Sequence, residues 1–328
     1  MKKSLLLIMT LVLSITLAAC GGTNTTNNGT NPGTNNTQGG TNNGGNTGAN
    51  NTSEEEPAAE LEGSILAVGS SAMAPLVEQA SIKFMDMPEY SKVTVLVQAG
   101  GSGTGLTQVS EGQSDIGNSD IFAEEKFVDD EAPKAEELVD HQVAVVAMAA
   151  VVNPAVGVED LTQAQLVQIF KGEVSNWSEV GGVDQEIVIV NRPSSSGTRK
   201  TFETYALGEA SPDLPGQIQE ESSGNVRKLV AETPGAIGYL ALSYLDDSIT
   251  ALNYEGIEPN EENVTNGTYP IWAYQHMYTK GEPNEVVQAF LDFMLSDEVQ
   301  TNDVVELGYI PASAMTIVRD VEGNVSQK

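Results

Sequence analysis

Three stretches of this 328-residue chain gather small hydroxyl residues and glycine at points where an apolar run gives way to a helical pattern. They are Gly69-Ser70-Ser71-Ala72-Met73-Ala74-Pro75, Gly100-Gly101-Ser102-Gly103-Thr104-Gly105 and Arg192-Pro193-Ser194-Ser195-Ser196-Gly197-Thr198. The start of a helix exposes unpaired N–H groups and the positive end of the helix dipole, so it attracts anions. Glycine lets the backbone come close to a ligand, and Ser and Thr hydroxyls add donors. One such loop is ordinary N-capping. Three loops of one composition, one of them led by an arginine, point to a shared bound anion.

A fourth stretch, Asp115-Ile116-Gly117-Asn118-Ser119-Asp120, is acidic. In an extended segment its two aspartates, five residues apart, point to opposite faces, so one can face a ligand while the other faces solvent. A buried carboxylate beside an anion makes chemical sense if the anion carries a proton. HPO₄²⁻ and H₂PO₄⁻ have an O–H that needs an acceptor when buried, whereas sulfate has none at neutral pH. One carboxylate therefore accepts from the first and repels the second.

Other chemistries fit less well. No Gly-Lys pair exists, so there is no Walker A loop, and Leu106 stands where a dinucleotide fingerprint needs its third glycine. Thr104 breaks a G-x-S-x-G nucleophile turn around Ser102. His141 and His276 fall in or beside apolar strand patterns and read as structural. Two His and a single Cys argue against a His/Cys metal centre and exclude an intrachain disulfide. With 46 acidic against 15 basic residues and a net charge of −31, the chain lacks the cationic surface that nucleic acid requires.

The elements that must position these loops alternate between strand and helix. Strand patterns cover 63–68, 93–97, 143–152, 187–190, 236–240 and 271–278. Helical patterns cover 74–85, 104–110, 161–170, 198–207, 226–231 and 285–295. Such alternation predicts an α/β fold.

The N-terminal part follows different rules. Lys2-Lys3, an apolar run from Leu5 to Leu13 and Leu17-Ala18-Ala19-Cys20 form a secretory signal over 1–19. The Leu-Ala-Ala-Cys ending resembles the lipobox of bacterial lipoproteins, which implies lipidation of Cys20. Of residues 21–53, 29 are Gly, Asn or Thr, too polar a composition to offset the entropy of ordering. The stretch 20–60 therefore reads as a lipid-bearing cysteine and a tether.

Taken in order, the four motifs resemble those of the phosphate-binding proteins of bacterial phosphate ABC transporters, over nearly all of 61–315. The resemblance implies a two-lobed periplasmic-binding-protein-like (type II) fold with a hinge, lobe 1 being 61–143 plus 241–328 and lobe 2 being 144–240. It implies phosphate held by Ser71, Ala72, Ser102, Asp120, Arg192, Ser196, Gly197 and Thr198, with Asp120 accepting the phosphate proton and Arg192 supplying charge. Some members carry an acidic residue two positions after this arginine; here Ser194 stands there. It further implies a monomer with no cofactor and no catalytic activity, held by lipid at the extracytoplasmic face of the cell membrane, that delivers phosphate to a membrane permease. A binder of sulfate, molybdate or tungstate, or a phosphatase-like enzyme built on the same anion cradle, is the alternative reading.

Overall fold

The computed structural model describes residues 61–328; the signal segment, Cys20 and the tether lie outside the described residues. A mixed sheet organises the chain. Strands β1 (Glu62–Gly69), β2 (Lys92–Ala99) and β3 (Ile116–Ser119) run parallel, with β1 in the middle. The long strand β4 (Leu138–Val152) joins the two halves of the sheet. Further along the chain come β5 (Asp160–Leu161), β6 (Val188–Asn191), β7 (Ile218–Gln219), β8 (Ala236–Ala241), β9 (Thr250–Ala251), β10 (Asn253–Tyr254) and β11 (Trp272–Lys280). The main sheet runs β2-β1-β3-β11-β4-β8-β6-β7, with β9 on β4.

β4 works twice. Its residues 138–147 pair antiparallel with β11, and its residues 148–152 pair antiparallel with β8. Val143 to Val152 is almost wholly buried, as a run of Val and Ala covered on both faces should be. Part of the segment 241–271 associates differently from the sequence expectation. β9 pairs with Val151 and Val152, and β10 pairs with Asp160 and Leu161, so both belong with the elements after residue 147 rather than with 61–143. Two-residue strands have too little pattern to reveal such pairings.

Helices cover the sheet by their apolar faces. Helix α1 (Ala74–Asp86), with Pro75 in its first turn, buries Leu76, Val77, Ala80 and Phe84. Phe84 stacks on Tyr90 at 4.1 Å and meets Phe290 edge-on at 5.2 Å. Helix α2 (Ser102–Ser110) buries Leu106 and Val109. The predicted helix over 198–207 is α-helical only for Gly197–Phe202, and Glu203–Leu207 continues it with wider π turns.

This topology gathers the motifs. β1, β2, β6 and β7 belong to parallel pairs and each leads, at its C-terminal end, into a loop and a helix. Ligands of open α/β sheets bind at such carboxyl ends.

Candidate anion-binding site

Asp120 follows directly from the end of β3 and is 2 % exposed. Its Oδ1 accepts from the Ser70 hydroxyl and from Gln275 Nε2 at 3.1 Å. Among the described residues its Oδ2 accepts only from the Thr198 hydroxyl, at 3.0 Å. A carboxylate oxygen can take about two hydrogen bonds, so Oδ2 keeps one acceptor position for a further O–H. Burial raises the Asp120 pKa above the usual carboxylate range, opposed by the donors Ser70, Gln275 and Thr198 and by the charge of Arg192.

The hydroxyls are arranged around this carboxylate. Ser102 Oγ accepts from the Asp120 N–H at 2.9 Å, and among the described residues no protein acceptor takes its own O–H. Ser70 Oγ accepts from the N–H groups of Ala72 and Met73, at 3.1 and 3.2 Å, which fixes the turn into α1. Ser196 is the N-cap of the helix Gly197–Phe202, its hydroxyl accepting from Arg199 N at 3.2 Å.

Arg192 is 1 % exposed and comes from the loop after β6. Its Nη2 donates to Ser71 Oγ at 3.0 Å and to the Glu221 carbonyl, and its Nη1 reaches Ser223 Oγ at 3.4 Å. Among the described residues its Nε has no hydrogen-bond partner. Burial lowers its pKa, yet a guanidinium remains cationic in proteins. Among the described residues no carboxylate bonds it, so the absence of an acid at position 194 leaves Arg192 held by neutral oxygens alone.

The loops meet directly. Gly103 N donates to the Ser195 carbonyl at 2.9 Å. Gly101, at φ +84°, would put a Cβ 2.8 Å from that same carbonyl oxygen. A Cβ on Gly197 would lie 2.1 Å from Ser102 Oγ. Ser194 and Ser195 line, with Thr104, Thr107 and Lys126, a cavity of about 460 Å³ at the outer edge of this contact.

The structure thus brings the eight expected binding residues together: Ser71, Ser102, Asp120, Arg192, Ser196 and Thr198 through hydrogen bonds, and Gly197 through its close approach to Ser102. Ala72 joins through its backbone N–H. Asp115 is exposed and accepts from Leu66 N at 2.8 Å, away from the cluster. His276 pairs with Asp140 at 2.8 Å and His141 lies 3.3 Å from the Thr279 hydroxyl; among the described residues neither is hydrogen-bonded to the expected binding residues. Two contributors escaped the sequence reading, Gln275 and the turn at Glu221, and a third, Ser70, stood in the first motif without an assigned role. Ser70 and Gln275 hold Asp120, and the Glu221-Ser222-Ser223 turn holds Arg192. Ser222-Ser223-Gly224 repeats the Ser-Ser-Gly grammar of 195–197 and could have been found. Nothing in the apolar β11 pattern singles out Gln275. Among the described residues no cluster of acids, His or Cys could hold a metal, and no helix is long and apolar enough to cross a membrane.

Comparison with known proteins agrees with this geometry. A family model described as the PBP superfamily domain matches residues 37–298. The chain is 48 % identical to the phosphate-binding protein PstS of Bacillus subtilis over 329 residues, covering 99 % of this chain and all of that one. Among solved structures it resembles one from Clostridium perfringens, described as a phosphate ABC transporter substrate-binding protein with bound phosphate. That likeness has TM-score 0.69 and 31 % identity, covering 76 % of this chain and 100 % of the other. It also resembles an ABC-type phosphate transport receptor from Vibrio cholerae, with TM-score 0.60 and 29 % identity over 75 % of this chain and 99 % of that one. The chain belongs to the PBP superfamily and, within it, to the PstS family.

Proposed function

We propose that this protein binds inorganic phosphate between its two lobes and delivers it to the membrane permease of a phosphate ABC importer. The observation that carries the reading is the buried pair of opposite charges, Asp120 and Arg192, set among hydroxyls whose protons and lone pairs can turn toward a ligand. Phosphate is a tetrahedral oxyanion that at neutral pH both accepts from a guanidinium and donates to a carboxylate. The role we read is binding rather than catalysis, in keeping with relatives named as phosphate-binding and substrate-binding proteins.

The proposed ligands are Ser71, Ala72, Ser102, Asp120, Arg192, Ser196, Gly197 and Thr198. Several charge-assisted bonds of about 1.5–3 kcal/mol each suffice for micromolar binding, about −8 kcal/mol. The net charge of −31 is no obstacle, because charges beyond about 8 Å are largely screened at physiological salt. The lobes we propose are 61–147 with about 272–315, and 148–271, the pairing of β9 and β10 moving the second boundary past 241. The protein acts as a monomer on the extracytoplasmic face, tethered by lipid on Cys20; Cys20→Ala releases it from membranes with phosphate affinity unchanged, and retention on membranes would refute the anchor.

Titration calorimetry with phosphate and with sulfate tests the central reading. Tight phosphate binding with sulfate at least about 30-fold weaker is expected, the factor being roughly 2 kcal/mol for an unpaired carboxylate contact. Equal affinities, or binding of a fully deprotonated oxyanion alone, would overturn it.

A further inference from the structure

Ser223 lies outside the four motifs from which the anion site was read, yet it is fully buried and touches the site's only arginine. It is the first residue of the ten-residue helix Ser223–Glu232. Its hydroxyl lies 2.9 Å from Ser71 Oγ and 3.4 Å from Arg192 Nη1, and its N–H points to Ser71 Oγ at 3.4 Å. The turn that carries it is itself tied down. Ser222 N donates to Glu220 Oε1 at 2.8 Å, Ser222 Oγ accepts from Asn225 N at 3.4 Å, and the Glu221 carbonyl accepts from Arg192 and from Ser71 Oγ. Ser71 is held from its other side, its carbonyl accepting from the Tyr244 hydroxyl at 2.6 Å.

This arrangement solves a specific problem. A buried guanidinium needs acceptors to fix its plane, and the usual acceptor is a carboxylate. A carboxylate would also cancel part of the charge the arginine offers a ligand. Hydroxyl and carbonyl oxygens fix the plane without cancelling the charge. From the phosphate-binding reading above, we infer that Ser223 is a positioning residue for Arg192. The Glu221-Ser222-Ser223 turn holds the guanidinium by neutral acceptors, so that its whole charge meets the anion and favours HPO₄²⁻ over H₂PO₄⁻.

The other charged and titratable groups around Arg192 are Asp120, Glu220, Tyr239, Tyr244 and Arg199. Glu220 spends Oε1 on Ser222 N and Asn225. Arg199 bonds the Arg192 carbonyl at 2.6 Å and is paired with Glu203 and Asp213. The Tyr239 hydroxyl is pushed up by burial, and that of Tyr244 up to about 12, so both stay neutral throughout the range where phosphate changes charge. Asp120 is the one group of the set at the ligand's other side, and it is left intact in every variant below.

The test measures phosphate affinity by calorimetry while the solution passes from mainly H₂PO₄⁻ to mainly HPO₄²⁻, for the wild type, Ser223→Ala, Ser223→Thr and Ser223→Asp. Ser223→Ala should weaken binding roughly 3- to 10-fold, and Ser223→Thr, which keeps the hydroxyl, should recover most of the loss. Ser223→Asp puts a carboxylate against the guanidinium. It should weaken binding at least about tenfold and reduce the gain in affinity as the dianion becomes dominant, because a second negative charge penalises the dianion more. Asp115→Asn serves as the control, since its side chain is exposed and bonds Leu66 N away from the site. If Ser223→Asp does not fold, the Ala and Thr pair decides alone. Wild-type affinity and pH profile in Ser223→Ala, or a loss that Ser223→Thr does not recover, would overturn the inference. A wild-type protein that does not bind phosphate would instead refute the functional reading on which it rests.

Discussion

Two buried arginines of this protein make an instructive pair. Arg192 is 1 % exposed and Arg319 is 6 % exposed, and neither has a carboxylate bonded to its guanidinium among the described residues. Both leave Nε without a hydrogen-bond partner among the described residues. Their surroundings differ in kind. Arg319 belongs to a C-terminal hairpin of β12 (Ile317–Arg319) and β13 (Val325–Gln327). Its guanidinium lies between the rings of Tyr205 and Trp272, 3.7 and 3.9 Å from their centroids, and donates to the carbonyls of Trp272 and, at 2.8 Å, Pro270. Rings packed in the core and backbone carbonyls at the start of β11 cannot turn away. The partners of Arg192 are two hydroxyls and a loop carbonyl, and hydroxyls rotate. A buried cation with fixed partners is a clamp, and a buried cation with partners that can reorient is a binding site. The difference lies in the neighbours, not in burial or charge.

The strongest way to break the comparison is to keep Arg192 and remove its access to the opposite loops. Gly197→Ala adds a Cβ 2.1 Å from Ser102 Oγ and 3.1 Å from the Asp120 Cβ, where neither the buried serine nor the backbone can give way. The two sides of the site then cannot meet. Phosphate affinity should fall by at least about 100-fold, the loss of two or more charge-assisted bonds. Small-angle scattering on the chain lacking residues 1–56 should show compaction by phosphate in the wild type and none in Gly197→Ala. Compaction and affinity both retained would mean that the site does not close on its ligand.

Exchanging each arginine for alanine separates the two roles. Arg192→Ala should cost at least tenfold in phosphate affinity, from a contact of about 2 kcal/mol, and leave the melting temperature of the unliganded protein nearly unchanged. Arg319→Ala should do the reverse. Losing the stacked guanidinium and its bonds costs about 2 kcal/mol of stability, roughly 4–8 °C in melting temperature, with affinity unchanged. Calorimetry and thermal melts on the same two variants read both. A melting loss for Arg192→Ala as large as that for Arg319→Ala would erase the distinction.

How much of this could be read beforehand follows from range in sequence. The loops at 69–75, 100–105 and 192–198 and the carboxylate at 120 were legible, because glycine, hydroxyls and helix starts are local signals. Most strand and helix positions came out within a few residues for the same reason, as at Val188–Asn191 and Glu285–Met294, whereas the strand Leu138–Val152 starts well before the predicted run at 143. The Arg319 clamp was not legible, since Tyr205, Trp272 and Arg319 are far apart in the chain and each is unremarkable alone. Nothing in the strand pattern over 271–278 gave Gln275 a role until β11 was placed beside β3, where it donates to Asp120. Long-range pairing, rather than composition, decides what those residues do.

The acids of the two regions sharpen the comparison further. Asp120 belongs to the site; Glu125 lies near Arg319, its Oε1 accepting from Phe122 N at 3.1 Å. Burial raises the pKa of both. A carboxyl raised in the folded state binds its proton more tightly there than when unfolded, so stability falls as pH rises through the window between the two values. Asp120→Asn removes that penalty. The unliganded variant should melt higher near neutral pH than the wild type, and its stability should depend less on pH. In binding, the amide NH₂ can face a deprotonated oxygen, so sulfate should gain relative to phosphate by 10-fold or more, about 1.4 kcal/mol. Asp115→Asn, on the opposite face, should change neither. An unaltered phosphate-to-sulfate ratio in Asp120→Asn would remove Asp120 from the ligand.

Glu125→Gln is expected to have the smallest effect, and it tests the clamp side of the comparison. The amide oxygen can keep the bond from Phe122 N, so the cap of the short helix Ala123–Lys126 survives. What changes is the charge. The carboxylate attracts Lys200, His276 and Arg319 across the cluster, yet burial is the larger influence and acts against ionisation. Losing the charge therefore removes more penalty than attraction. The variant should be as stable as the wild type or slightly more so above the carboxyl's raised pKa, within about 0.5 kcal/mol, and should lose that advantage as pH falls and the wild-type group becomes protonated. Phosphate and sulfate affinities should not move, because the clamp is fixed by rings and carbonyls that do not depend on Glu125. Thermal melts across pH, with calorimetry at one pH, check both halves. A shift in anion selectivity in Glu125→Gln would show that the clamp and the binding site are electrically one region, and the contrast between Arg192 and Arg319 would then be one of degree.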